Sequence, residues 1–379
     1  MKVGMTDLAA VHGRLGAQLD EAVSRVMRGG RYIRGSEVNA LEGELAEYVG
    51  VAHARTCANG TEALMIALMA LDLRPGDEVI TTSFSFIAAA EAAKLLGLRV
   101  IFADIDPASF NIDPRKIESL VTPRTRVLLP VHLFGRMADM DALVGIAERH
   151  GLHIVEDAAQ AFGAEQVVGG RRRKACSVGV IGCTSFFPTK NLGGMGDGGA
   201  LFTNSDALAR KIATIASHGA EVKYRSTRLG LNSRLDEIQA AVLRVKLRRL
   251  DEYVSRRRDA ALAYRRALAG NDFFVCPADA DGHTFNQFTL RVNYGCRDDV
   301  RQFLAQRGVE TMVYYPEPIH RQPVFGEEGL DLPATDAAAA QVLSIPMHTE
   351  LSATDIAYVS DTLNAWKIGA HRLEEAAAL

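Results

Sequence analysis

The sequence predicts an α/β protein with a mostly parallel mixed sheet flanked by helices and with a smaller C-terminal α+β domain. The first observation is an alternation, from about residue 60 to residue 203, of helical patterns with short apolar runs. The helical stretch GTEALMIALMAL precedes DEVITT, and IAAAEAAKLLG precedes LRVIFADI. Repeated units of this kind build a parallel sheet that helices cover on both faces.

The second observation is a helical pattern over residues 233–268 that contains neither Pro nor Gly. It is longer than a typical globular helix and is predicted to connect two domains. Behind it, TFNQFTLRVN is typical of a strand, while DDVRQFLAQRG and SATDIAYVSDTLNAWK are typical of helices. We therefore expect a large domain over residues 1–245, including the N-terminal segment, and a small α+β domain over residues 246–379.

Composition excludes several classes of function. The 379 residues are 48% hydrophobic and 23% charged with a net charge of -3, which is neither the basic excess of a nucleic-acid binder nor the bias of a disordered chain. No run approaches the roughly 18 apolar residues of a membrane span, and the first residues lack the apolar core of a signal peptide. These features predict a cytoplasmic protein without nucleic-acid or membrane partners.

Cysteine and histidine usage gives no sign of a metal centre. The five cysteines are odd in number and never form a CxxC pair, which is typical of reduced thiols rather than of a disulfide framework or a thiolate zinc site. The histidines show no ligand spacing. We expect no metal.

The segment VEDAAQAFGA places Asp157 at the end of the apolar run LHIVED. Ligands of open α/β sheets lie beyond the carboxyl ends of the strands, so Asp157 either faces a ligand or caps the next helix. Gln160 follows one turn later and can point into the same crevice, although a surface amide is the simpler interpretation of Gln160 alone.

A second feature is CANGTEALMIALMAL, where Asn59, Gly60 and Thr61 precede an apolar helix. Glycine permits close backbone approach, Thr61 can cap the helix, and the free N–H groups with the positive end of the helix dipole attract an anion. The pattern fits a phosphate, but many helices begin in this way without binding anything.

The third feature is Lys190 in TSFFPTKNLGGMGDGGALFTN, where it follows the strand-like IGCTSFF and precedes five glycines within residues 193–199. The glycines let the backbone turn and let a planar ligand approach. Apolar surroundings disfavour the charged amine, lower its pKa and make it a nucleophile for a carbonyl group. An ordinary lysine would instead extend to solvent.

A rival interpretation is a nicotinamide-dependent (NAD) oxidoreductase, because Gly194, Gly196 and Gly199 satisfy GxGxxG. That fingerprint belongs between a strand and a helix, whereas these glycines run into ALFTN, a strand-like stretch. The three features together instead fit one ligand, pyridoxal 5'-phosphate. It has a phosphate for the Gly60/Thr61 turn, an aldehyde for Lys190 and a ring nitrogen whose proton Asp157 would hold.

The segments NGTEAL, VEDAAQAFGA, TSFFPTKNLGGMGDGGA and GLNSRLDEIQAAVL resemble, in order and spacing, the DegT/StrS-type sugar aminotransferases, which are fold-type I PLP enzymes. The resemblance implies that Lys190 forms the Schiff base and moves the proton, that Asp157 pairs with the pyridine nitrogen, and that Gln160 lies near the phenolic oxygen. It further implies a set of cofactor contacts: Gly60, Thr61 and Ser185 at the phosphate, Phe86 at the ring face, and Asn232 at the phosphate of the other subunit. The active unit is then a homodimer with shared sites. Phe86 taken alone is a core residue by default.

The family resemblance also implies two half-reactions, in which L-glutamate gives its amine to the cofactor and the cofactor gives it to a keto nucleotide sugar. The guanidinium group of Arg234 is suited to bind a carboxylate, either that of the amino donor or that of a uronic acid. The alternative is that Arg234 only begins the long helix and pairs with Asp236 or Glu237.

A closer resemblance is to the enzymes that aminate C3 of UDP-2-acetamido-2-deoxy-3-keto-D-glucuronic acid for bacterial lipopolysaccharide and O-antigen. The segments that carry it are CANGTEAL, SFFPTK, HGAEVKYRSTRLGLNSR, YYPEPIHRQP and SIPMH. That subgroup carries His-Tyr-Pro where this chain has Tyr314, Tyr315 and Pro316, so only Tyr315 of the two tyrosines is retained as a sugar contact. His320 and His348 are the other predicted contacts. The alternative within the family is amination at C4 of a dTDP- or UDP-linked keto-deoxysugar. A regulatory protein without turnover, or a dehydratase with histidine in place of the lysine, is not favoured by the intact Lys190, Asp157 and Gln160.

Overall fold

The computed structural model describes residues 1–326 and 329–367, and the C-terminal HRLEEAAAL lies outside the described residues. The helices are α1 Leu8–Gly29, α2 Ser36–Val49, α3 Gly60–Ala70, α4 Ala88–Leu95, α5 Met140–His150, α6 Asp206–Ile215, α7 Glu237–Leu247, α8 Leu250–Ala267, α9 Arg297–Gln306, α10 Pro333–Gln341 and α11 Ala353–Asn364. The strands are β1 His53–Cys57, β2 Glu78–Thr82, β3 Arg99–Ala103, β4 Thr125–Leu128, β5 His153–Asp157, β6 Glu165–Val168, β7 Arg171–Lys174, β8 Ile181–Ser185, β9 Gly199–Thr203, β10 Ala220–Val222, β11 Arg225–Ser226, β12 Phe274–Val275, β13 Phe288–Val292 and β14 Val342–Ile345.

A seven-stranded sheet in the order β1-β9-β8-β5-β4-β2-β3 forms the centre of the fold. Strands β8, β5, β4, β2 and β3 run parallel, whereas β9 is antiparallel to both of its neighbours, β1 and β8. Successive side chains of a strand point to opposite faces. Val79 of β2 accordingly packs in the core formed with α3, α4 and α6, while Ile80 packs in the core formed with α2, α5 and α7. The predicted mostly parallel mixed sheet with helices on both faces is confirmed.

A second, three-stranded sheet, β12-β13-β14, is antiparallel. Its residues form a separate hydrophobic core with α9, α11 and the end of α8. The start of the chain also reaches this core: Val3 is buried there, and its N–H donates to the carbonyl oxygen of Gly308 at 2.9 Å. The first residues thus pack against the C-terminal part of the chain, a contact that no local sequence pattern indicates.

The helical pattern over residues 233–268 is not one helix, and the predicted continuous connector is wrong. Helix α7 ends at Leu247, α8 begins at Leu250, and Arg249 between them has φ -112° and ψ 2°. The two helices pack on different partners, α7 on α1 and α2, and α8 on α11. Tertiary packing decides the break, because the residues at the junction have good intrinsic helix propensity.

All five cysteines are free thiols, and four of them are buried. None of the described helices combines the length and the apolar character that crossing a membrane would require. Within the described ranges there is also no group of three or more His, Cys, Asp or Glu side chains arranged to hold a metal ion.

Candidate active site

The candidate site lies where two neighbouring parallel strands end. Asp157 is the last residue of β5, Ser185 is the last residue of β8, and the two strands pair in register through Asp157 and Cys183. Helix α3 begins at Gly60 beside Ser185. The carboxyl ends of the parallel strands and the amino end of a helix therefore meet at one edge of the sheet, as expected for ligand sites in α/β folds.

A cavity of about 870 Å³ opens at this edge. It is lined by Asn59, Gly60, Thr61, Glu62, Leu64, Met65, Phe86, Ala88, Val131, Asp157, Ala159, Gln160, Ser185, Phe187, Thr189, Lys190, Asp197, Gln287, Tyr314 and Tyr315. Eight of the sequence-predicted site residues are thus brought together in one space: Gly60, Thr61, Phe86, Asp157, Gln160, Ser185, Lys190 and Tyr315.

The carboxylate of Asp157 is buried at the carboxyl end of β5, where it lines the cavity. Its side chain is 6% exposed, and its Oδ1 accepts the N–H of Ala159 at 3.0 Å. Burial raises the pKa of Asp157, whereas the N–H of Ala159 and the charge of Lys190 act in the opposite direction. A buried carboxylate with so little compensation favours a bound cation or an N–H donor.

Lys190 is a buried amine whose positive charge lies near the negative charge of Asp157. Burial lowers the pKa of the Lys190 amine, and the negative charge of Asp157 opposes that shift. A larger fraction of the amine is therefore uncharged near neutral pH than for an exposed lysine, and an uncharged amine can attack a carbonyl carbon. The lysine predicted from its apolar neighbours does not extend into solvent but lines the cavity.

The segment that carries Lys190 joins β8 to β9, which are antiparallel neighbours. The N–H of Phe186 donates to Gly198 at 2.8 Å, and the N–H of Gly194 donates back to Phe186 at 2.7 Å. A Cβ atom on Gly193 would lie 2.2 Å from the carbonyl oxygen of Pro188. Glycine is required at 193 because the segment folds tightly on itself, which agrees with the prediction that the glycines let the backbone turn. The prediction that they also let a planar ligand approach stays a prediction.

The start of α3 leaves two N–H groups at the cavity. Asn59 is the helix cap, since its Oδ1 accepts the N–H of Glu62 at 2.8 Å, so the expected cap, Thr61, is instead the second residue of the helix. A Cβ atom on Gly60 would lie 2.7 Å from Cβ of Ser185. The hydroxyl of Ser185 and the first N–H groups of α3 are therefore held side by side, which is an arrangement that binds phosphate.

Gln160 is fixed at both ends of its amide. Its Oε1 accepts the N–H of Phe134 at 2.8 Å, and its Nε2 donates to the hydroxyl oxygen of Tyr315 at 2.9 Å. Gln160 is buried, so the interpretation of this residue as a surface amide is wrong. Phe86 is 58% exposed with its ring centre 6.5 Å from that of Tyr315, and it lies at the cavity rather than in the core.

Asn232 and Arg234 do not line this cavity. Asn232 is exposed on the segment that follows β11, where it forms a β-bridge with Ser217. Arg234 is partly buried near Arg34, whose pKa is lowered by burial and then by the charge of Arg234. Glu237 accepts the N–H groups at the start of α2 instead of pairing with Arg234.

The two histidines predicted as sugar contacts do not line this cavity, and their role as sugar contacts stays a prediction. His320 is 2% exposed, and its Nδ1 lies 2.7 Å from the hydroxyl of Ser83 in the core beneath β2. His348 lines a different, smaller cavity that also reaches Lys190. The Nδ1 atom of His320 is thus occupied by Ser83.

The sequence reasoning missed several residues that line the cavity. Asp197 is the one charged residue within GGMGDGG, and Glu62 directly follows the NGT turn, so each had a local signal. Gln287 comes from the segment before β13 and had none. Tyr314, which was set aside because of its departure from the family pattern, also lines the cavity. The glycines of the GxGxxG pattern lead from β8 into β9, not into a helix, which removes the structural context of a dinucleotide site.

Comparison with known proteins identifies the group to which this site belongs. Residues 14–364 match the model of the DegT/DnrJ/EryC1/StrS aminotransferase family. The chain is 45% identical to a "Pleiotropic regulatory protein" of Geobacillus stearothermophilus, covering 96% of this chain and 98% of that one. It is 42% identical to the UDP-2-acetamido-2-deoxy-3-oxo-D-glucuronate aminotransferase of Pseudomonas aeruginosa (94% and 98%) and 40% identical to the dTDP-3-amino-3,4,6-trideoxy-alpha-D-glucose transaminase of Streptomyces venezuelae (99% and 98%).

Solved structures agree with this match. The structure of S. venezuelae DesV in complex with a ketimine intermediate superposes with a TM-score of 0.92 at 40% identity, covering 97% of this chain and all of that one. The structure of NtdA from Bacillus subtilis with bound cofactor PMP gives a TM-score of 0.90 at 31% identity, covering 98% of this chain and 85% of that one.

Proposed function

Because this chain belongs to the DegT/DnrJ/EryC1/StrS aminotransferase family, we propose that it moves an amino group from L-glutamate to C3 of UDP-2-acetamido-2-deoxy-3-keto-D-glucuronic acid. The chain is a sugar aminotransferase that depends on pyridoxal 5'-phosphate. The identity of the sugar and of the donor is the proposed part. The proposal extends to a cytoplasmic enzyme, for which the unpaired cysteines argue, and to a product used in bacterial lipopolysaccharide and O-antigen.

The observation that carries the proposed site is the common cavity of Lys190, Asp157, Ser185 and the start of α3. The cofactor's phosphate fits the Ser185 hydroxyl with the N–H groups of Gly60 and Thr61, which have no partner inside the helix. A ring N–H fits the Asp157 carboxylate, because a hydrogen-bonded cation offsets the burial that raises the pKa of Asp157.

When bound, the cofactor supplies an electron sink for the carbon that exchanges its amine. The chain's own residues supply the proton movements and the orientation. The Nζ atom of Lys190, with its pKa lowered by burial, would take a proton from one reacting carbon atom and give it to another within each half-reaction, so that it is free again before the next one begins. Gln160, held by the N–H of Phe134, keeps the Tyr315 hydroxyl at the cavity wall. The exposed ring of Phe86 offers an apolar surface against which a planar group can pack.

The charges around the cavity argue that one chain is not sufficient. Among the described residues that line it, Lys190 is the one Lys or Arg, while Glu62, Asp157 and Asp197 are acidic. The proposed substrate carries a diphosphate and a carboxylate, and such anions bind where cations or N–H donors face them. The missing positive charge must come from outside the cavity of a single subunit.

We propose that a second copy of the chain supplies it. The hairpin β10–β11 and the residues after it carry Lys223, Arg225 and Arg228. The same stretch exposes Val222 by 65%, Tyr224 by 92% and Leu229 by 89%, and exposed apolar side chains in a cluster are typical of an interface. Asn232 and Arg234 follow directly. In the proposed homodimer, Asn232 reaches the phosphate of the partner's cofactor, and Arg234 binds a carboxylate.

For C3 of the glucuronate, the supporting observation is the 42% identity to the Pseudomonas aeruginosa aminotransferase over 94% of this chain. The 40% identity to a dTDP-3-amino-sugar transaminase supports a dTDP-linked sugar nearly as well, although the name of that relative places the amine at C3 and not at the C4 of the alternative. The deciding experiment offers the enzyme glutamate with a panel of UDP- and dTDP-linked 3-keto and 4-keto sugars and identifies the products by mass spectrometry. An amino product from the dTDP-sugars alone would overturn the UDP-glucuronate assignment. The Lys190→Ala variant, tested on the same panel, controls for uncatalysed amination.

A further inference from the structure

A second, smaller cavity reaches the same segment of chain as the active site. Its volume is about 40 Å³, and it touches Thr189 and Lys190, which also line the large cavity. The rest of its wall comes from α7, from α8, from the N-terminal segment and from the residues after β14. Five residues in this wall are buried and polar, and three of them carry the argument: Lys246, Tyr253 and Arg257, besides Asn191 and Thr349.

Arg257 is a buried cation whose hydrogen bonds, in the described part of the chain, go to carbonyl oxygens. Its exposed fraction is 7%, and its Nη1 donates to the carbonyl oxygen of Met347 at 2.9 Å, with longer contacts of 3.4 and 3.3 Å to Phe285 and Asn286. Within residues 1–326 and 329–367, its Nε has no hydrogen-bond partner. Burial lowers the pKa of Arg257 to about 10. A buried charge surrounded only by neutral dipoles is costly unless a counter-ion is present.

Lys246 adds a second cation to the same cavity. It is 7% exposed, and its Nζ donates to the carbonyl oxygen of Gly193 at 2.7 Å. Burial alone lowers the pKa of Lys246, without an opposing carboxylate. Since Gly193 lies on the segment that carries Lys190, Lys246 links this cavity directly to the candidate catalytic loop.

Tyr253 and His348 add two neutral hydrogen-bond donors to the lining of the smaller cavity. The Tyr253 hydroxyl is buried and has no hydrogen-bond partner in the described part of the chain. Burial lowers the pKa of His348, and its Nδ1 accepts the N–H of Glu350 at 3.3 Å, so the proton of the neutral ring lies on Nε2. Two cations and two neutral donors therefore share the wall.

Negative charge in the wall is limited to one exposed residue. Asp7 touches the cavity, but its carboxylate accepts the N–H of Ala10 at 2.8 Å as the cap of α1. The amide oxygen of Asn191 also lacks a donor within the described ranges, and a water molecule bound beside a counter-ion would supply one. Among the described residues that line the cavity, the buried cations therefore outnumber the buried carboxylates, and the nearby Glu350, outside the lining, is paired with Arg14 at 2.8 Å.

We propose that this cavity binds a small monovalent anionic group, either a halide ion or a single carboxylate group, between Arg257, Lys246 and Tyr253. About 40 Å³ exceeds the roughly 10–15 Å³ that a single water needs, so a few atoms fit and a sugar phosphate does not. The anion would connect α8 through Arg257 to α7 through Lys246, and from there to Gly193. Occupancy thus fixes the segment that presents Lys190. This inference goes beyond the proposed function, because it holds for any sugar substrate.

The direct test is crystallographic and uses the cofactor-loaded enzyme soaked in sodium bromide. We expect an anomalous bromide peak in the cavity, within contact distance of the Arg257 guanidinium and the Tyr253 hydroxyl. The absence of a bromide peak there, with bromide bound elsewhere on the molecule, would overturn the proposal. This measurement uses the unaltered chain and does not depend on whether any variant folds.

A second test compares thermal unfolding in potassium chloride with unfolding in potassium gluconate, whose anion is too large for the cavity, at equal ionic strength. Chloride should raise the midpoint of the unaltered enzyme by about 2–4 °C relative to gluconate. Arg257→Met and Lys246→Met should lose this difference. Arg266→Met is the matched control, because Arg266 is exposed on the same helix, α8, does not line the cavity, and should keep it. An equal chloride effect in all variants would contradict the site.

The same chemistry has two possible sources, an inorganic ion or the carboxylate of the amino donor. If the donor's carboxylate binds here, chloride raises the KM for glutamate in proportion to its concentration and leaves kcat unchanged. If the site holds an inorganic ion, the KM for glutamate does not change while the bromide peak and the chloride stabilisation persist. Failure of glutamate as donor would affect the proposed function but neither the bromide peak nor the chloride stabilisation.

Discussion

The side-chain amide of Gln160 donates to the hydroxyl oxygen of Tyr315 at 2.9 Å, although 155 positions separate the two residues in the chain. Its other end accepts the N–H of Phe134, whose backbone has the left-handed φ of 58° that residues other than glycine seldom adopt. One buried amide therefore fixes the end of the 3-10 turn Leu133–Gly135 and the wall of the cavity together.

Removal of this amide should cost more than removal of its partner hydroxyl. Gln160→Met leaves the buried N–H of Phe134 without an acceptor, which costs about 1–3 kcal/mol, whereas Tyr315→Phe removes one ordinary hydrogen bond worth about 0.5–1.5 kcal/mol. Urea unfolding of both variants measures the difference. Equal losses would show that the N–H of Phe134 finds another acceptor.

Lys190→Ala should lose turnover by at least the factor of about 10²–10⁴ that a positioned proton-transfer group contributes, and it should still bind the cofactor through Ser185 and Asp157. The yellow colour of the protein reports cofactor binding, and mass spectrometry of the amino-sugar product reports turnover. The unaltered enzyme should turn yellow with the cofactor and bleach when glutamate is added. Lys174→Ala, on the surface hairpin β6–β7, is the control and should behave as the unaltered enzyme. Normal transamination by Lys190→Ala would mean that another lysine does this work.

Gly60→Ala should weaken cofactor binding. The added methyl group would lie 2.7 Å from Cβ of Ser185, and overpacking of this kind costs about 1–3 kcal/mol. Gly43→Ala in α2 is the matched control, because its Cβ would meet nothing within 4 Å and alanine in a helix is favoured over glycine by roughly 0.5–1 kcal/mol. Equilibrium titration with pyridoxal 5'-phosphate checks both, and an unchanged affinity in Gly60→Ala would speak against a phosphate at this turn.

Asn232→Ala tests the proposed homodimer. Lys190→Ala and Asn232→Ala chains should each be inactive alone, but exchange of subunits creates one intact site per mixed dimer. For two chains combined at random in equal amounts, about a quarter of the full activity should return. Activity is measured after brief unfolding and refolding of the mixture. No recovery in proven mixed dimers would mean that Asn232 serves its own subunit.

His283 should make the protein sensitive to acid. Its ring stacks on Phe285 at 3.8 Å, and burial, assisted by the charge of Arg136, lowers its pKa to about 3 from an ordinary 6.5. Between pH 6.5 and about pH 3 the unfolded chain therefore binds a proton at His283 that the folded chain does not bind. As the pH falls through this range, the free energy of unfolding decreases by about 1.4 kcal/mol for each pH unit. His283→Asn should flatten this slope in unfolding experiments between pH 7 and pH 4.5.

Local patterns were sufficient to predict the layered fold. Apolar runs and helix caps act over a few residues, so DEVITT, LHIVED and ALFTN were recognisable as strands without knowledge of their partners. The break at Arg249 was not recognisable, because only the different neighbours of α7 and α8 cause it. The domain boundary at residues 245 and 246 stays a prediction.

The residues of the candidate site also differ in whether a local sequence pattern could identify them. Lys190, Asp157 and the NGT turn had signals within ten residues of themselves, and the structure brings them to one cavity. Gln287 arrives there only because the segment before β13 folds back, and no local pattern reports such a contact. His320 followed a motif near the site, yet its ring turns towards Ser83. Sequence position thus identified the neighbourhood of a side chain but not the direction in which it points.

The placement of Lys190 between two antiparallel strands also bears on how the enzyme can move. Strands β8 and β9 hydrogen-bond side by side, and the carbonyl oxygen of Gly193 accepts from Lys246, so the backbone that carries Lys190 is anchored at both ends and near its middle. In the proposed homodimer, access for successive substrates would then depend on parts outside this stretch, such as the exposed β10–β11 hairpin of the second copy. Donor and sugar would come in turn to a lysine whose backbone stays in place.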